Sequence, residues 1–122
     1  MKTIAGSARK GIVDVVKWAK QHDEPQPTNI AVQNCEEVAE ILDFAGWKAA
    51  YFEIGVYECV NDGLELVITH LKTKKRIAFV TDGATGDFYV IRTYKDVKKT
   101  HTSLKSIETR KLLEWVSDPM VD

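Results

Sequence analysis

The chain has 122 residues, 44% hydrophobic and 29% charged, which suits one globular core and excludes a disordered or membrane-embedded class. No stretch approaches the ~20 apolar residues of a membrane span. The N-terminal Met-Lys-Thr-Ile-Ala-Gly-Ser-Ala-Arg-Lys-Gly carries no apolar run of a secretory leader, so the expectation is a cytoplasmic protein without a membrane partner. The formal net charge of −1 is a cancellation of opposed blocks. Residues 1–22 hold five bases against Asp14 (+4), residues 23–71 ten acids against Lys48 (−9), residues 72–111 eleven bases against four acids (+7), and the last eleven residues three acids (−3). A folded surface that keeps those blocks apart is two-faced.

The expected fold class is α+β, a single domain over 1–122 in the order α-α-β-β-β-β-α, with a four-stranded antiparallel meander packed against helices. The first helix is placed over about 7–22, where Ala8, Ile12, Val15, Val16 and Ala19 form one apolar stripe with Trp18 at its edge. Pro25 and Pro27 break it. A short strand over Ile30–Gln33 precedes a second helix over about 35–45, with Asn34 as N-cap, Glu37 as its capping-box partner, and Val38, Ile41, Leu42 and Ala45 buried. Gly46 ends that helix.

The period then changes to alternation, and the sheet is placed over about 50–95. Gly55 suggests a bulge, and Asn61-Asp62-Gly63 a tight hairpin turn with positive φ at Asp-Gly. Asp82-Gly-Ala-Thr-Gly-Asp87 reads as a second turn; it lacks the further oxygen ligands of a calcium loop. Apolar residues on both faces of the middle strands predict a helix partly covering each side. A third helix is placed over about 103–117, with Thr102, Ser103 or Ser106 as cap and Pro119 as its stop. Helix followed by sheet and helix is loosely similar in topology to a double-stranded-RNA-binding domain, from which the extra N-terminal helix and fourth strand depart.

Few residues point to catalysis. Gly6-Ser-Ala-Arg-Lys-Gly11 has the spacing of a phosphate-binding loop, but Ile12 and Val13 follow where Lys and Ser or Thr are needed. Ser7, Ser103 and Ser106 fall where helix caps are expected. Cys35 and Cys59 form no Cys-x-x-Cys pair, so buried thiols are expected rather than a metal or redox site. No cofactor and no metal set is expected. Asp62, Glu65, His70 and Lys72 loosely follow a metal-dependent nuclease pattern, with His70 where that pattern wants a carboxylate.

The basic run Lys72, Lys74, Lys75 and Arg76 lies between two strands. With Arg92, Lys95, Lys98 and Lys99 it forms a candidate nucleic-acid face, Tyr89 and Tyr94 being available for stacking; as an exposed tip it equally serves solubility and guards the sheet edge. Glu36, Glu37 and Glu40, with Trp47, Tyr51 and Tyr57, form the candidate partner-binding set, and Trp18 is a further aromatic anchor. The expectation is a small non-enzymatic regulatory or inhibitory protein that docks on a protein partner through charge-segregated surfaces. The alternatives are a nucleic-acid-binding accessory protein using 72–76 and 92–105, and a small metal-dependent nuclease-like enzyme.

Overall fold

The computed structural model describes residues 2–121. Helix α1 (Ile4–Gln21) begins earlier than the sequence predicts, because Thr3 rather than Ser7 caps it: the Thr3 hydroxyl accepts from the Gly6 N–H at 2.9 Å. Its buried stripe of Ile4, Ala8, Ile12 and Ala19 has helical spacing. The Asp43 carboxylate accepts from the Ile4 and Ala5 N–H groups, both at 2.9 Å, and so satisfies two more donors of that helix start.

Helix α2 (Asn29–Phe44) overturns two expectations. Thr28 is its N-cap, accepting from the Ala31 N–H. Ile30–Gln33 is therefore helix rather than strand, and Asn34 lies inside it. The reason is local: Thr28 is extended at the helix entrance, as an N-cap is, and Ala31, Cys35, Val38, Ala39 and Leu42 make one continuous buried stripe. Ile41 and Ala45, expected inside, are exposed. Gly46 ends the helix as expected, with φ +93°. Its N–H reaches the Asp43 carbonyl and that of Trp47 reaches the Leu42 carbonyl, the two bonds of a Schellman end.

The sheet has five strands, not four: β1 (Phe52–Cys59), β2 (Gly63–His70), β3 (Arg76–Thr81), β4 (Phe88–Tyr94) and β5 (Val97–His101), in the order β1-β2-β3-β4-β5, each antiparallel to its neighbours. β5 shows no alternation in the sequence because four of its five residues are exposed; pairing with β4 alone makes it a strand. Helix α3 (Thr109–Ser117) is accordingly shorter than expected. A separate 3₁₀ turn, Leu104–Ser106, is capped by the Ser103 hydroxyl, which accepts from Ser106 N–H.

Gly55 is no bulge, since β1 pairs with β2 without interruption and Gly55 stands opposite Val67. The Tyr57 ring lies back over it; a Cβ at position 55 would sit 2.7 Å from the Tyr57 hydroxyl. In the next turn the positive φ falls on Asn61 and Asp62, not on Gly63. Asp82 organises the β3–β4 turn by accepting from the Ala84 and Thr85 N–H groups at 2.8 and 3.1 Å and from the Asn61 side chain. Those backbone donors hold its carboxyl below the usual range.

Phe52, Val56, Leu64, Leu66, Ile68, Ile77, Phe79 and Val90 share one face of the sheet and form one core with all three α-helices. Burying each such side chain is worth about 1.5–3 kcal/mol. The other face carries Val67, Ala78, Val80 and Ile91, and no described helix covers it, against the expectation of helices on both sides. Small side chains and close neighbours bury Ala78 and Val80 there without a second layer.

The meander also distributes charge. Successive turns lie at alternate ends, so Asp62, Asp82 and Asp87 gather at one end of the sheet and Lys72, Lys74 and Lys95 at the other. Among the described residues no helix is long and apolar enough to cross a membrane.

Candidate functional site

Edge strands expose backbone hydrogen-bonding groups, and β1 is such an edge. The Leu71 N–H donates to the Tyr51 carbonyl, and the His70 N–H to the Lys75 carbonyl. These bonds set the parity. Odd residues of β1 bond to β2, even residues of β2 bond to β3, and the N–H and C=O groups of Ile54, Val56 and Glu58 point outward from the edge.

A groove of about 620 Å³ runs along that edge. Five consecutive residues, Ile54 to Glu58, line it. Successive strand side chains point to opposite faces, so a groove touching all five follows the free edge itself. Its opposite wall is one stripe of α1 that includes Ser7, Asp14 and Trp18. The two walls meet at Gly11, where an added Cβ would stand 2.6 Å from Val56 Cγ2. Only glycine lets the helix approach the strand this closely.

The groove is also polar along its length. Asp43 at the end of α2 caps the start of α1, and the Thr28 N–H at the start of α2 donates to the Asp62 carbonyl beyond β1. Hence α1 and β1 run in the same sense, with Lys2 and Lys10 toward the first half of β1 and Asp14, Trp18 and Glu58 toward its end. Trp18 is 49% exposed and its ring stacks on His22 at 4.2 Å. Tyr57 is exposed at the rim.

The candidate partner residues do not form one surface. Tyr57 joins the groove, and Tyr51 is exposed in a 3₁₀ turn at the lysine-rich end. Trp47 is not an anchor: it is 3% exposed and stacks on Phe52 at 5.4 Å in the core. Glu36 is half-buried. Glu37 accepts from Gln33 and Glu40 pairs with Arg9 at 2.9 Å on the outer face of α2. Beside them stand exposed Ile41 and Phe44, the latter 95% exposed. The missed groove residues Ser7, Lys10 and Asp14 complete no motif, since the Gly6–Gly11 run lacks the residues that must follow it; their helical spacing is the one signal that marks them as a face.

The candidate nucleic-acid residues divide four ways. Lys72, Lys74 and Lys95 are exposed in turns at one end of the sheet. Arg76 and Lys98 lie on the uncovered face, and Arg92 and Lys99 on the helix-covered face. Lys75 is not at an exposed tip. It is fully buried, and its Nζ donates to the carbonyls of Trp115 at 2.8 Å, Asp118 at 2.7 Å, and Val121. Position 75 shares the parity of Ile77, so the side chain turns into the helix layer.

Arg92 stands directly opposite Lys99. The two line a small cavity of about 300 Å³ with Tyr94, Lys95, Val97 and Trp115. Arg92 lies 5.1 Å over the Trp115 ring, and its Nε is 3.1 Å from His101 Nε2. Burial, Arg92 and Lys99 push the His101 pKa down.

Asp62, Glu65, His70 and Lys72 are not assembled. Asp62 and Lys72 flank opposite ends of β2, about 26 Å apart along the strand, and Glu65 and His70 face opposite sides of the sheet. Among the described residues no group of His, Cys, Asp and Glu is placed to hold a metal. Both cysteines are free; burial pushes the Cys35 thiol up to about 12. Comparison of the chain with protein-family models, curated proteins and solved structures finds no match.

Proposed function

We propose that the protein is a binding module that takes an extended segment of a partner protein along β1 as a sixth strand. The observation that carries this reading is the groove formed by five consecutive strand residues against one helix stripe. The outward N–H and C=O groups of Ile54, Val56 and Glu58 match the backbone of another strand, as in other strand-addition complexes. Trp18 and Tyr57 offer aromatic surface, the side-chain type that dominates such contacts. Lys10 toward one end and Asp14 with Glu58 toward the other select a segment with an acidic and a basic residue at opposite ends.

Selection from a random-sequence peptide library, followed by amide hydrogen exchange on the complexes, tests the reading. Selected peptides that protect the amides of Ile54, Val56 and Glu58 support it. Failure to select any peptide, or selection of peptides that leave those amides unchanged, rejects it.

A further inference from the structure

We propose that the cavity between the β4–β5 hairpin and α3 is a binding site for a phosphate monoester carried on a flat or apolar group, such as a mononucleotide. This site is independent of the groove, which lies at the opposite edge of the sheet.

Three observations lead there. First, Arg92 and Lys99 are direct cross-strand neighbours on the same face. Like charges in that position oppose folding, and neither is ion-paired with a carboxylate among the described residues. Second, the remaining lining adds Lys95 and no acid. Three cations therefore line the space, and Arg92 donates to His101 on the neighbouring strand. A guanidinium beside ammonium groups suits a doubly charged oxyanion, since its fork of N–H donors engages two oxygens at once.

Third, Tyr94, Val97 and Trp115 supply the apolar part of the wall. Polar groups few in number and fixed among apolar walls are the usual construction of a small-molecule site, and about 300 Å³ is at the lower end of their size range. Tyr94 and Trp115 are themselves held by Lys75, whose Nζ is 5.2 and 5.1 Å from their ring centroids. The exposed Lys72, Lys74 and Lys95 at this end of the sheet extend the positive field outward and draw anions toward the cavity.

The phosphate monoester has two sources, a free mononucleotide or the phosphorylated 5′ end of a strand. Calorimetric titration of the full chain at low salt with adenosine 5′-monophosphate, adenosine, and 5′-phosphorylated and 5′-hydroxyl oligonucleotides separates them. The expected result is binding of the phosphorylated probes, none by adenosine, and loss of roughly tenfold or more in affinity in Lys99→Glu, whose thermal melt confirms folding. A monophosphate that binds as tightly as the phosphorylated strand assigns the site to free nucleotides; a tighter phosphorylated strand assigns it to strand ends. Absence of binding by every phosphorylated probe, equal binding of adenosine, equal binding of the 5′-hydroxyl strand, or an unchanged affinity in Lys99→Glu overturns the proposal.

Discussion

The Nζ of Lys75 donates to the main-chain carbonyl of Trp115 at 2.8 Å across forty residues of sequence. The same ammonium reaches the carbonyls of Asp118 and Val121. The Thr73 hydroxyl donates to the Val116 carbonyl. The β2–β3 turn thus supplies the donors that the C-terminal end of α3 lacks, and a side chain that reads as a solubility device holds the end of the chain against the sheet.

Replacing that side chain by one of similar length and no charge leaves the carbonyls buried without their donor. Lys75→Met is expected to lower stability by about 2–4 kcal/mol, measured by urea denaturation. Lys72→Met, at an exposed neighbouring position, is the control, with an expected change within about 0.5 kcal/mol. Equal effects would show that Lys75 contributes nothing beyond surface charge.

Proline separates the outward from the inward amides of β1. At Glu58, whose N–H points away from β2, proline removes no bond of the ladder, as edge strands tolerate. Glu58→Pro is expected to fold and to lose peptide binding in the groove. Tyr57→Pro removes an inward donor and is expected to lower the melting temperature by several degrees or more. Calorimetric melting of both variants checks the assignment of parity.

Lys99→Glu converts a like-charge pair opposite Arg92 into an opposite-charge pair. Stability is expected to rise by about 0.2–1 kcal/mol while phosphate affinity falls. A stability gain and a binding loss from one substitution distinguish a ligand site from a merely structural cluster. A destabilised variant would contradict the cross-strand contact.

His70 makes stability depend on pH. Its Nδ1 accepts from the Lys72 and Thr73 N–H groups at 3.2 and 3.3 Å, and its ring meets Phe52 edge-on. Burial first, then Lys72, pull its pKa below 6.5. The unfolded chain therefore binds the proton more readily. Stability is full above the unfolded value of about 6.5 and falls as the pH drops from there to the folded pKa. His101, shifted the same way, adds to the slope. Urea midpoints at pH 7.5 and 5 are expected to show the lower stability at pH 5. A midpoint that rises on acidification would contradict both shifts.

Much of the fold is legible because it is local. The stripe of α1 is set by residues three and four apart, the end of α2 by Gly46, and the meander by alternating residues broken at Asn61-Asp62 and Asp82–Asp87. The sequence also determined the blocks of opposed charge, whereas the alternating turns of the meander bring Asp62, Asp82 and Asp87 to one end and Lys72, Lys74 and Lys95 to the other.

What only the tertiary structure decided depends on a neighbour distant in sequence. β5 has no pattern of its own because a doubly exposed edge buries neither face, and β4 alone makes it a strand. Trp47 and Lys75 look like surface residues until the helix layer closes over them. The groove exists because Gly11 lets α1 approach Val56. Arg92 and Lys99 become a pair by register, since a shift of one residue would send Lys99 to the other face. Hydrophobic period and turn chemistry act within a few residues, whereas strand pairing and layer packing join residues tens of positions apart.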